Sequence, residues 1–147
     1  DICIIDCSPS LSILTLNALI ASNDIIVPVQ THYYAVEGLK QLLDTINIVQ
    51  NRYHSNITDI KVLLTFVDAT TLLSRDIEQQ IRDVFGDRIF QTVIHRCVRL
   101  AEAPSASQTV ITYAPDCKGA SEYMKLANEV CYNENQSRIT EADFVNI

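Results

Sequence analysis

Glycine is scarce in this chain, and none of its three glycines belongs to a phosphate-binding loop. Gly38, Gly86 and Gly119 stand far apart, and none lies in a G-x-x-x-x-G-K-[ST] context. That pattern supplies the backbone N–H groups and the lysine that surround nucleotide phosphates in P-loop proteins. Residues 1–147 therefore contain no loop of this kind, which excludes self-sufficient phosphoryl transfer of the P-loop type.

Long apolar runs are missing as well. Although 48% of the residues are hydrophobic, no run approaches the roughly 18 to 20 apolar residues that a membrane-spanning helix needs. The first residues show no signal-peptide pattern. These absences predict a cytoplasmic protein without a membrane partner.

The five cysteines form no zinc-binding pattern. Their number is odd and no C-x-x-C pair occurs among them, whereas structural zinc sites favour closely spaced ligand pairs. Reduced, mostly buried thiols in a cytosolic protein are the simpler interpretation. The positions are Cys3, Cys7, Cys97, Cys117 and Cys131.

Positive charge is in deficit, with a net charge of −7. This excludes nucleic-acid binding by bulk charge alone. The segment 61–125 carries eight basic and eight acidic side chains and is the least acidic part of the chain. Any surface that faces a polyanion is predicted to lie there.

Apolar segments of strand and helix length alternate along the chain, which predicts an α/β fold with a mostly parallel sheet flanked by helices. Strands are predicted at 2–6, 24–29, 60–66 and within 89–94. Helices are predicted at 12–21, 35–52 and 74–85, with Ser74 as an amino-terminal cap and Gly86 as a stop, and an irregular stretch is predicted at 95–116.

The last helix is predicted to begin near Lys118 and to end near residue 132. Its predicted core face comprises Ala120, Tyr123, Met124, Ala127, Val130 and Cys131. Residues 133–147 are polar and their few apolar residues show no helical or strand periodicity, so they are predicted to form a loose tail. Residues 1–132 are accordingly interpreted as the structured domain.

Asp6 is the strongest candidate for chemistry. It ends an unbroken apolar run, Ile2 to Ile5, of the kind that a central parallel strand covered on both faces shows. Open α/β sheets bind ligands beyond the carboxyl ends of their strands, and an acid there in a phosphate-handling fold orders Mg²⁺ or the attacking water. The alternative is an aspartate that caps the next helix.

Several motifs occur in an order that resembles one family. Residues 5–11 and 14–19 resemble the Walker B region of the ParA/Soj-type partitioning ATPases. The resemblance continues through segments 28–30, 34–39, 98–105 and 118–120 and covers roughly residues 1–132. It implies a P-loop NTPase-like fold of the ParA/MinD type, here without the first strands and the P-loop. The chain is interpreted as the carboxyl-terminal portion of such an ATPase.

The resemblance also implies roles for individual residues. Asp6 corresponds to the Walker B acid, which contacts Mg²⁺ through water. Arg96 and Cys97 lie in the loop that helps hold the adenine of ATP, although His95 and Cys97 depart from the family's Pro-Arg-Asn. Arg99 matches an arginine that contacts DNA, and Lys118 is compatible with the same role.

Three other positions where the family is usually basic are not basic here. They are Thr70, Gln108 and Asp116. Each neutralised phosphate contributes about 0.9 to the salt dependence of DNA binding, so these changes predict weakened binding.

The function implied by the resemblance is the ATP-dependent positioning of chromosome or plasmid DNA. It implies a homodimer in the ATP state, non-specific binding of nucleoid DNA and a ParB-type activator. The chain alone is expected to be inactive. Two alternatives remain open: a degenerate, non-enzymatic scaffold, and a MinD-like or other cargo-positioning ATPase. The acidic carboxyl-terminal tail disfavours the membrane-binding helix of MinD-like proteins.

Overall fold

The computed structural model describes the backbone of residues 2–8, 10, 12–53 and 55–144, and side chains within these ranges up to residue 132. Besides two short 3₁₀ helices at Gly86–Arg88 and Ala103–Ala106, the described part of the chain contains two strands and six α-helices. In order they are α1 (Ile13–Ala21), β1 (Asp24–Gln30), α2 (Ala35–Tyr53), β2 (Asp59–Thr65), α3 (Leu72–Phe85), α4 (Val98–Glu102), α5 (Val110–Tyr113) and α6 (Lys118–Phe144).

The sheet is parallel, as the alternating pattern predicts. β1 pairs with β2 in a register that runs from Asp24 opposite Asp59 to Gln30 opposite Thr65. α2 makes the crossover between the two strands, which is the usual connection of a parallel pair. The parallel sheet flanked by helices confirms the predicted fold class.

The main core lies between the sheet and helices α2 and α3. β1 contributes Val27 and Val29, and β2 contributes Val62 and Leu64, all of them buried. The helices cover these side chains with Leu39 of α2 and with Ile77 and Ile81 of α3. Ile46 and Val49 of α2 are buried in a second cluster, together with Leu19 of α1 and Ile57. The helix predicted at 35–52 is therefore confirmed, and Tyr53, its last observed residue, is exposed.

The amino-terminal cap of α3 is Thr71 and not Ser74. The Thr71 hydroxyl accepts a hydrogen bond from the Ser74 backbone N–H over 3.3 Å. Both are good capping residues, but the helix begins two residues earlier than predicted. Gly86 does end the helix, with a φ of 51° that only glycine adopts easily.

The first predicted strand is wrong. Residues 2–8 adopt neither helix nor strand, and Ile2, Ile4 and Ile5 are between 50% and 89% exposed. An apolar run forms a central strand only if neighbouring strands pair its backbone and helices cover its faces. Within the described residues the sheet has two strands, and neither pairs with this run.

The strand predicted within 89–94 is reduced to isolated bridges. Ile89 bridges Val62, and His95 bridges Val67, both in parallel orientation. The N–H groups of Gln91 and Thr92 donate instead to the Glu129 carboxylate of α6, over 2.7 and 2.9 Å. On either side of these bonds, the N–H groups of Phe90 and Ile94 still donate to the carbonyls of Val62 and Leu64 in β2, over 3.0 and 2.9 Å.

The carboxyl-terminal part of the chain departs from its prediction in three ways. The irregular stretch 95–116 contains the short helices α4 and α5. α6 extends to Phe144, beyond the predicted end near residue 132, since residues 133–144 include neither glycine nor proline. Its core face differs too: Tyr123 and Met124 are exposed whereas Glu122 is buried. The predicted tail residues 145–147 lie outside the described residues.

Candidate functional site at the carboxyl ends of the two strands

An open cavity of about 320 Å³ lies where β1 and β2 end. The last residue of β1 and the residues that follow both strands form its walls. The edge at which parallel strands end is where open α/β sheets bind ligands. The lining residues are Gln30, Thr31, His32, Phe66, Asp68 and Arg96.

The buried Ser74 hydroxyl forms hydrogen bonds with both walls of this cavity. It lies 2.8 Å from the Thr31 hydroxyl, which follows β1. The same oxygen accepts a hydrogen bond over 3.1 Å from the Asp68 N–H in the loop after β2. One side chain at the start of α3 therefore fixes the relative position of both loops.

The Asp68 carboxyl is held in its charged form, with a pKa below the ordinary value of 3.8. The Thr70 hydroxyl donates to Asp68 Oδ1 over 2.5 Å, and the Thr70 N–H donates to the same oxygen over 3.0 Å. These two bonds lower the pKa most, desolvation opposes them, and the charge of Arg96 adds a smaller lowering. The cavity thus presents a carboxylate and a guanidinium together.

Replacing Thr70 by valine is expected to raise the pKa of Asp68 toward 3.8, because the strongest stabilising bond to the carboxylate is removed. The pKa of Asp68 is lower in the folded state than in the unfolded state. Asp68 therefore stabilises the fold above about pH 3.8, and this contribution is lost as the pH falls through its folded-state pKa. Carboxyl-carbon NMR titration measures the change, with Asp87 as internal control. An unaltered Asp68 titration in Thr70→Val would contradict this assignment.

Arg96 reaches the cavity because the backbone before and after it is held on two sides. Its N–H donates to the carbonyl of Val67 over 3.1 Å. Its neighbour His95 donates its N–H to Glu122 Oε2 over 2.9 Å, and the His95 ring Nδ1 lies 2.7 Å from Glu122 Oε1. The buried Glu122 of α6 therefore anchors this loop to the carboxyl-terminal helix.

The residues predicted to contact DNA are both ion-paired inside the chain. Arg99 Nη1 lies 2.7 Å from Glu102 Oε2, and that contact is the main cause of a raised Arg99 pKa. Lys118 Nζ lies 3.6 Å from Glu122 Oε1. Both cations remain more than half exposed, so a phosphate must compete with a carboxylate at each position.

The structure brings most of the predicted site residues into one region, but not all of them. Arg96 lines the cavity, Cys97 directly precedes α4, and Arg99 lies in that helix. Lys118 begins α6, and Gly119 in the first turn of α6 packs against Leu100 of α4. Asp6 is exposed and does not line the cavity.

Asp68, Ser74 and Glu122 are the site residues that sequence reasoning missed. Asp68 follows a predicted strand end just as Asp6 does, so the same rule could have found it. Ser74 and Glu122 carry no such signal, because their roles depend on partners 43 and 27 residues away in the chain.

Among the residues that the structure describes, no three His, Cys, Asp or Glu side chains lie close enough together to hold a metal ion. None of the helices described there combines the length and apolarity required to cross a bilayer.

Comparison with known proteins points to one family. Residues 1–60 match a family model described as an AAA domain. The chain is 47% identical over 133 residues to the sporulation initiation inhibitor protein Soj of Bacillus subtilis, covering 90% of this chain and 53% of that protein.

Other relatives agree with this match. The chromosome-partitioning ATPase Soj of Thermus thermophilus is 46% identical over 130 residues, covering 88% of this chain and 52% of its own length. The chromosome partitioning protein ParA of Caulobacter vibrioides is 40% identical over 131 residues, with coverages of 89% and 49%. The chain spans about half the length of these relatives, and over that span its sequence places it in the Soj/ParA family.

Proposed function

We propose that this chain supplies the Walker B acid, the base-binding loop and the DNA-contacting residues of a ParA-type ATPase that positions chromosome or plasmid DNA. In this proposal ATP and Mg²⁺ are the ligands. A homodimer forms in the ATP state and binds DNA without sequence preference, and a ParB-type protein activates hydrolysis. Residues 1–147 contain no P-loop, so the phosphate-binding loop is not part of what this chain contributes.

One observation carries the proposal: Arg96 lines a cavity at the carboxyl ends of two parallel strands. A planar guanidinium can stack on a nucleotide base, and the neighbouring Asp68 carboxylate balances its charge. The bonds from Arg96 to Val67 and from His95 to Glu122 hold the loop in place. Relatives named as chromosome-partitioning ATPases, similar over about 90% of the chain, support the same function.

A single carboxylate such as that of Asp6 is sufficient for a Mg²⁺ ion whose other ligands are water and phosphate oxygens. Mg²⁺ retains several waters and uses one or two carboxylates together with substrate phosphates, so a multi-residue cage is not required. Asp6 offers an exposed carboxylate for this purpose. When bound, Mg²⁺ would neutralise phosphate charge, and Asp6 would hold one of its water ligands by hydrogen bonding.

In the full-length protein, Arg96→Ala is expected to weaken ATP binding roughly 2- to 30-fold, since contacts of a cation with a π face contribute about 0.5–2 kcal/mol. Arg96→Lys is the matched control, because it keeps the charge but loses the planar face. Titration with a fluorescent ATP analogue measures the change. If both variants bind ATP like the unaltered protein, Arg96 does not contact the base.

A degenerate scaffold is the second candidate function. The observation that favours it is the pairing of Arg99 with Glu102 and of Lys118 with Glu122, which reduces the charge available to DNA. A scaffold would keep the fold and its partner surface without binding nucleotide or DNA. The ATP titration and the DNA measurements described in the Discussion separate the two functions.

A further inference from the structure

Two cysteines that are distant in sequence lie near each other, because each directly precedes a helix and these two helices, α4 and α6, are in contact. Cys97 is the residue before α4, and Cys117 is the residue before α6. The first turns of these helices are in close contact, since a Cβ added to Gly119 would lie only 2.9 Å from Leu100 Cγ. Both thiols are free and only half-buried.

The groups around the two sulfur atoms favour reaction of Cys97. The N–H of Ala120 points at Cys117 Sγ over 3.4 Å, so this sulfur lies over the first turn of α6. Burial by itself raises the pKa of Cys97. This effect is outweighed by hydrogen bonds to its sulfur, so the net effect is a lowered pKa. The donors are the N–H groups of Gly119, Arg99 and Leu100 and the Cys117 thiol. A thiol of lowered pKa and partial exposure is the reactive kind.

We propose that Cys97 and Cys117 form a reactive dithiol site that exchanges with low-molecular-weight disulfides and closes a disulfide between the starts of α4 and α6. The pair lies outside the cavity lined by Arg96 and is built from this chain's own residues. Cys97 is the attacking thiol and Cys117 is the resolving thiol.

The exchange proceeds in two balanced steps with oxidised glutathione as the oxidant. The Cys97 thiolate attacks one glutathione sulfur, forms a mixed disulfide and releases one glutathione thiolate, which takes up a proton. The Cys117 thiolate then attacks the Cys97 sulfur, forms the intramolecular disulfide and releases the second glutathione. Two electrons pass from the cysteine pair to glutathione disulfide, which is reduced to two thiols.

The site has one consequence that rests on the proposed function. Cys97 directly follows Arg96, so the disulfide would tie the base-binding loop to the start of α6. Thiol chemistry is measured without nucleotide, and ATP titration is measured with the thiols reduced. Failure of the dithiol site is therefore distinguishable from failure of ATP binding.

The test is disulfide mapping of the full chain after incubation with oxidised glutathione. Trypsin places Cys97 in peptide 97–99, Cys117 in 100–118, Cys131 in 126–138, and Cys3 and Cys7 together in 1–40. We expect the linked pair 97–99 with 100–118 to be the main disulfide product. Cys117→Ser should instead accumulate glutathione on Cys97, whereas Cys97→Ser should leave Cys117 largely unmodified.

Alkylation rates provide the second measurement and a control for folding. In native buffer Cys97 is expected to react with iodoacetamide roughly threefold or more faster than the exposed Cys131. In guanidinium chloride the two rates should become similar, because the surrounding N–H groups are dispersed. Absence of the linked peptides, or a native rate at Cys97 no greater than that of Cys131, overturns the proposal.

Discussion

The purified 147-residue chain is expected to hydrolyse ATP no faster than buffer. Phosphoryl transfer depends on backbone N–H groups and a lysine that surround the phosphates, and residues 1–147 contain no Gly-rich lysine loop. Loss of a single preorganised donor costs about 10²–10³ in rate at comparable sites, so loss of the whole cradle should abolish measurable turnover. Phosphate release at saturating ATP and Mg²⁺ measures this.

The full-length protein with DNA and its activator is the positive control for that assay. There, Asp6→Asn should sharply reduce hydrolysis, since it removes the charge of the proposed Walker B carboxylate. In the isolated chain the same substitution should change nothing. Metal-dependent hydrolysis by the isolated chain that disappears in Asp6→Asn would contradict this prediction. It would also contradict the interpretation that residues 1–147 cannot hydrolyse ATP without a P-loop.

In the full-length protein, Arg99→Ala is expected to weaken non-specific DNA binding in the presence of ATP. Each lost phosphate contact lowers the salt slope by about 0.9, or about 1.8 for a two-fold dimer, and this corresponds to roughly 5- to 30-fold in affinity near physiological salt. Because Arg99 is paired with Glu102 over 2.7 Å, Glu102→Gln should shift binding in the opposite direction. DNA titrations at several salt concentrations measure both slopes.

Arg52→Ala is the matched control for these titrations. It removes the same charge at the end of α2. α2 runs antiparallel to β1 and β2, so its last residues lie near the amino ends of the strands, whereas the cavity lies at their carboxyl ends. Its salt slope should equal that of the unaltered protein. If Arg99→Ala and Glu102→Gln also leave the slope unchanged, Arg99 does not contact DNA, and the scaffold becomes the better supported function.

Thr70→Arg extends the same test to a position where the family is usually basic. The added charge is expected to strengthen DNA binding and to raise the salt slope. It also removes the hydroxyl that donates to Asp68, which raises the pKa of Asp68, whereas the added cation lowers that pKa. Thr70→Val separates the two effects, because it shares the loss of the hydroxyl but adds no charge.

Much of the fold follows from the local sequence. The parallel pair β1 and β2, the helix α2 and the stop at Gly86 are set by hydrophobic periodicity and by one glycine. The motifs that resemble Soj and ParA also lie in the sequence alone, and the relatives confirm the family. Patterns of this kind depend on side-chain type and spacing, which the sequence states directly.

The tertiary structure decided the features that depend on distant partners. An apolar run such as Ile2 to Ile5 has the composition of a buried strand, but a strand exists only where neighbouring backbone pairs with it. A glutamate such as Glu122 is not expected in a core, but here its buried carboxylate has partners in the N–H and ring of His95. Likewise, Cys97 and Cys117 lie near each other only because α4 packs against α6. Sequence periodicity records neither backbone pairing nor hydrogen-bond partners across the fold, so these contacts were settled by packing.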